Sequence, residues 1–200
     1  MFTPPPPLSI NAFLYKSMPF DPEKAFAPVS VVGVMPNILL VAPHVPAKNI
    51  KELIAYAKAN PGKLTYGSQG VGSTPHLTGV MLAKAAGIDI VHVPYRGFPP
   101  VLQDLLGSRL DFAFADASNS LPQVRGGTLR AMAVASAKRF SALPDTPTLI
   151  ESGFPDFESA TWMSVSAPAG TPGAVIKTWQ EELAKIAQMP DVKARFAELG

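Results

Sequence analysis

The segment Tyr66-Gly67-Ser68-Gln69-Gly70-Val71-Gly72-Ser73-Thr74-Pro75-His76 concentrates residue types that do chemistry. It links an expected strand to an expected helix. The first turn of a helix has backbone N–H groups without internal partners, and the macrodipole places about half a positive charge there. Glycines let the preceding backbone curl so that more amides point at one spot. Ser68, Gly70, Gly72, Ser73 and Thr74 therefore read as a cradle for a small anion. The same residues also suit a plain tight connection, and from the residues alone both readings stay open. A Walker loop needs Lys before its Ser/Thr, but Ser73 follows Gly72 directly. The glycine spacing also misses the dinucleotide fingerprint. A carboxylate fits better than a nucleotide. Charge-assisted hydrogen bonds contribute roughly 1.5–3 kcal/mol each, so three or four carry much of the ~8 kcal/mol of micromolar binding.

His76 sits near the helix start, where positive charge is disfavoured, and is expected as a neutral imidazole. Its plainer reading is a surface or capping histidine. Ser68 with His76 could form a nucleophile and base, but no third member is evident and the G-x-S-x-G elbow is missing. Tyr95 and Arg96, in Val93-Pro94-Tyr95-Arg96-Gly97, follow another strand end, where ligands of parallel sheets collect. Arg96 could pair with an anion or be a solvated loop arginine. Tyr95 could wall a pocket or belong to the core. Asp116 could orient a ligand donor or cap the following helix, the cap being slightly favoured. His44 and His92 have no metal-like spacing, so neither metal nor cofactor is expected.

The elements that must position these residues follow from periodicity. Ile50, Leu53, Ile54 and Ala57 mark one helix face, and Pro61-Gly62 stops it. Pro75 to Ala86 is a helix with Ser73 or Thr74 as N-cap and Gly87 beyond its end. Pro99 to Leu106 is a third, and a short one lies around Leu121 to Arg125. Strands are expected at Val29–Val34 and Ile38–Ala42, separated by Pro36-Asn37, and at Leu64–Tyr66, Ile90–Val93, Asp111–Ala115 and Leu129–Ala135. This alternation implies an α/β fold with a mainly parallel sheet covered on both faces. Pro147 to Glu151 reads as a short helical piece and Trp162 to Ala167 as extended. Pro172 to Met189 is a long helix with Ile176, Trp179, Leu183 and Ile186 on one stripe. Trp162 and Trp179 read as packing residues.

Composition narrows the function classes. The 200 residues are 47% hydrophobic, enough for a core and against disorder. Seventeen basic against 15 acidic residues leave a net charge of +2, too balanced for a dedicated nucleic-acid surface. Cysteine is absent, which excludes thiolate metal sites and cysteine nucleophiles. No apolar run reaches the ~20 residues of a membrane span. Pro4 to Pro7, without a basic start, do not read as an export signal, since four prolines forbid a helical apolar region.

These motifs carry a family resemblance. Phe20-Asp21-Pro22-Glu23-Lys24-Ala25-Phe26-Ala27-Pro28-Val29, Leu53 to Ser68, Gly72-Ser73 to His76-Leu77, Val93 to Gly97, Leu129 to Val134, Pro144 to Thr148, Glu151-Ser152-Gly153 and Ala167 to Pro172 occur together and in order. The chain resembles the Bug (TctC-type) receptors, the extracytoplasmic solute-binding components of tripartite tricarboxylate transporters. The resemblance implies a type II periplasmic-binding-protein-like fold with two α/β lobes. Residues 1–42 and 163–200 would form lobe 1, and 43–162 a complete lobe 2 with the anion-binding loop. The receptor would be periplasmic and would bind a small carboxylate in an interlobe cleft, for delivery to membrane permease subunits. Ser68, Gly72, Ser73 and His76 match the family's carboxylate loop; Tyr95, Arg96 and Asp116 carry over more weakly. Family members are longer and bear an export signal. The resemblance thus implies that lobe 1 is incomplete at both ends, with an uncovered edge. A non-binding or self-associating fragment and a Ser/His hydrolase are the alternatives.

Overall fold

Asn49 starts the regular part of the chain by accepting a bond from the Glu52 N–H at 3.0 Å, while Glu52 Oε2 accepts from the Lys48 N–H at 2.8 Å. One orphan donor of the helix start, the Glu52 N–H, is thereby satisfied, and the N–H of the residue before the cap is held as well. In the computed structural model, which describes residues 1–199, the elements run as follows. A strand β1 (Phe2–Thr3) precedes a π-helical turn (Pro6–Ile10), α1 (Asn11–Leu14), α2 (Pro22–Ala25) and the long β2 (Phe26–Val41). Then come α3 (Ile50–Ala59), β3 (Thr65–Ser68), α4 (Thr74–Ala86), β4 (Val91–Pro94), α5 (Phe98–Leu106), β5 (Phe112–Asp116), α6 (Ala117–Arg125) and β6 (Arg130–Val134). The chain closes on β7 (Ala160–Pro168), α7 (Gly173–Gln188) and α8 (Pro190–Leu199).

The chain divides into two compact units, Pro36–Ala160 and Met1–Met35 with the segment from Thr161 onward. In the first of these, strands lie in the order β4-β3-β5-β2, with β6 on the other side of β2. β3 is parallel to β4 and β5, whereas the second half of β2 runs antiparallel to β5 and β6. The sheet is therefore mixed: parallel where strand and helix alternate, antiparallel where β2 enters. Phe112, Phe114, Ile38, Leu39 and Leu40 are fully buried in it. α3 contributes Ile50, Leu53 and Ala57, and α5 contributes Phe98, Val101 and Leu105. Arg130 ties down the 42–47 loop by donating to the carbonyls of Ala42, Val45 and Ala47 at 2.5–3.0 Å.

The second unit is built on β1 antiparallel to β7, which neighbours β2. No residue of α7 or α8 is buried, and Trp179 keeps 55% exposure. The expected packing role of Trp179 is therefore not met.

Three other local expectations change. Pro36-Asn37 does not break the strand. Pro36 has no N–H to give, and the Asn37 N–H is taken by the Ser159 carbonyl at 3.0 Å, so β2 runs through. Residues 147–151 form no helix; Thr148 bridges Val134 in parallel fashion and a turn follows. The proline run does not exclude helical structure, because Pro6 falls at a helix start, where a missing N–H costs nothing.

Candidate functional site

β3, β4 and β5 point the same way, so Ser68, Pro94 and Asp116 end them on one edge of the sheet. From Ser68 the chain turns through Gly70 (φ 127°) and Gly72 (φ 82°) into α4. Both angles lie in the region that side chains other than glycine rarely adopt. Ser73 is the N-cap, its Oγ accepting from the His76 N–H at 3.4 Å. Its own proton goes to the Gly70 carbonyl at 2.7 Å. Gly87 ends the helix at φ 60°. Gly79 permits the approach of α4 to the sheet: a Cβ there would lie 2.1 Å from the Tyr66 ring.

A column of rings stands under this turn. Phe112 stacks on Tyr66 at 5.6 Å, Tyr66 meets His92 at 4.9 Å, and His92 meets His76 at 4.2 Å. The Tyr66 hydroxyl donates to the His76 carbonyl at 3.3 Å, and burial pushes its pKa up to about 12. His76 Nδ1 accepts from the Gly72 N–H at 3.2 Å, so its own proton sits on Nε2. Burial lowers the His76 pKa. Burial, and secondarily His76, lower that of His92 to about 4. Both rings are neutral at pH 7.

The structure joins Ser68 to His92 rather than to His76: Ser68 Oγ lies 2.7 Å from His92 Nε2. Parallel pairing puts His92 opposite Tyr66 and Pro94 opposite Ser68, a neighbourhood invisible to linear spacing. Ser68 Oγ also accepts from the Gly70 N–H at 3.2 Å. The two serines thus spend their hydroxyls on shaping the loop. Among the described residues, the N–H groups of Gln69, Val71 and Thr74 make no hydrogen bond, nor do the Thr74 hydroxyl and His76 Nε2. These are the unspent donors of the turn.

Tyr95 spends its hydroxyl proton on Asp104 Oδ2 at 2.6 Å, while Arg109 Nε donates to Asp104 Oδ1 at 2.7 Å. Burial and this bond raise its pKa to about 12. Arg96 is exposed and pairs with no carboxylate among the described residues. Asp116 is the N-cap of α6. Its Oδ1 accepts from the Asn119 N–H at 3.1 Å, Asn119 Nδ2 at 2.8 Å and the Ser118 hydroxyl at 2.7 Å. Among the described residues no cluster of three or more His, Asp or Glu side chains could hold a metal ion, and no helix is long and apolar enough to cross a membrane.

The model of the tripartite tricarboxylate transporter family receptor, TctC, matches residues 6–200. A protein from the tcbD-tcbE intergenic region of Pseudomonas sp. (strain P51) is 34% identical over 194 residues, covering 96% of this chain and 58% of that protein. This chain spans little more than half of such curated relatives. The solved structure of Rpa4515 from R. palustris with adipate is 33% identical with a TM-score of 0.93, over 100% of this chain and 67% of that one. The periplasmic binding protein BugD is 33% identical with a TM-score of 0.88, over 99% and 66%. The fold is that of periplasmic binding proteins. With a family match across nearly all its length, the chain belongs to the TctC receptor family.

Proposed function

We propose that the chain binds a small carboxylate at the turn between β3 and α4, as the solute-binding receptor of a tripartite transporter. The observation that carries this reading is the set of unspent N–H groups at Gln69, Val71 and Thr74, beside the His76 Nε2–H, at a helix N-terminus. Ser68 and Ser73 act indirectly, by holding Gly70 and Gly72 in the shape that leaves those donors outward. Arg96 adds positive charge at the same sheet edge, and Tyr95 contributes through its ring only. The adipate in the R. palustris neighbour supports a carboxylate as the ligand. Periplasmic location and delivery to membrane permease subunits are proposed on the family's description.

Binding rather than hydrolysis is favoured by the histidine that Ser68 contacts. A base with a pKa of about 4 takes a proton weakly at neutral pH. A second reading, self-association of the chain, is favoured by the exposure of Phe2 and Val34, 61% and 60%.

Calorimetric titration with a panel of dicarboxylates tests the main reading. Saturable heat is expected with wild type, and a loss of at least tenfold in affinity with the Ser73→Ala/His76→Ala double variant. Equal affinity in the double variant would place the ligand elsewhere.

A further inference from the structure

Asn37 is completely buried, yet its Oδ1 has no hydrogen-bond partner. Which amide atom is orphaned follows from a chain of bonds with fixed direction. The Thr74 carbonyl can only accept, so Thr78 Oγ1 spends its proton there, at 2.7 Å. Thr78 Oγ1 must then accept from Ser159 Oγ, at 2.5 Å. Ser159 Oγ in turn accepts from Asn37, which can donate only through Nδ2, at 2.9 Å. The amide orientation is thus set by the network, and the unpaired atom is an acceptor.

A second acceptor stands opposite. Asn37 and Asp116 are register partners across β2 and β5, so their Cβ atoms lie about 4.5–5.5 Å apart on one sheet face. Phe112 and Asp116 alternate onto the face that holds Tyr66 and α4. Three donors occupy Asp116 Oδ1, and none reaches Oδ2 among the described residues. Asn37 Oδ1, buried and unpartnered, calls for a donor that the chain does not supply, and Asp116 Oδ2 on the same face is free to accept from the same group.

We infer that Asn37 Oδ1 and Asp116 Oδ2 form a donor-reading subsite beside the carboxylate loop, so that the preferred solute is a carboxylate bearing a hydroxyl or ammonium group rather than a plain dicarboxylate. This rests on the carboxylate reading above. The N–H groups of the loop grip the carboxylate, and the acceptor pair takes the proton of the substituent on the neighbouring carbon. A solute lacking that group leaves Asn37 Oδ1 unpaired, and such sites reject the deoxy analogue strongly.

Malate and succinate differ by one hydroxyl and form the matched probes, titrated calorimetrically into the 200-residue chain. Malate is expected to bind at least tenfold more tightly than succinate. In Asp116→Asn the helix cap survives, because Asn caps as well as Asp, but one acceptor becomes a donor that can satisfy Asn37 Oδ1. The malate-to-succinate ratio is then expected to fall to near one. Equal affinities in wild type, or an unchanged ratio in Asp116→Asn, would overturn the subsite while leaving the carboxylate loop intact. Binding of neither compound would overturn the loop reading, and the subsite with it.

Discussion

His92 illustrates what burial does to one residue. Its ring lies between Tyr66 and His76 and touches Ser68, and its pKa falls to about 4 from an ordinary 6.5. In the unfolded chain it protonates near 6.5, so acid favours unfolding. The stability it contributes is complete above pH 6.5 and is lost as pH falls from there towards 4. Urea unfolding at pH 7.5 and pH 4.5 should therefore show a larger acid loss in wild type than in His92→Gln. An equal loss in both would mean that the ring is not held neutral by its site. Ser68 and His76 were legible as neighbours in sequence, but His92 and Asn37 were not. Each reaches the site through strand pairing, which no linear spacing encodes.

At the scale of elements, α4 carries the proposed site because both its ends and its inner face are specified. Ser73, Pro75 and Gly87 mark the ends in any reading of the sequence. The inner face needs Gly79, whose role appears only when the Tyr66 ring is in place. That ring is packed against Phe112 and His92 and cannot retreat. Gly79→Ala should therefore destabilise the protein by about 1–3 kcal/mol through overpacking, although alanine is the better helix former. A lower urea midpoint checks this; an unchanged or higher midpoint would mean that α4 slides freely on the sheet. The strand-helix alternation was legible from periodicity and stop signals. The course of β2 was not, since Pro36 reads locally as an interruption. Only the Ser159 carbonyl, far along the chain, gives Asn37 a partner that lets the strand continue.

At the scale of the molecule, a near-neutral charge and the small number of unspent donors point to recognition by a few directed bonds rather than by a broad field. The unit spanning Pro36–Ala160 contains the loop, the ring column and the acceptor pair. An amide correlation spectrum reports on every part of the chain at once and separates a local grip from a general stabilisation. Recorded with and without saturating malate, it should show its largest shift changes at Gln69, Val71 and Thr74. Changes centred elsewhere, or none at these three amides, would contradict a carboxylate held at the start of α4.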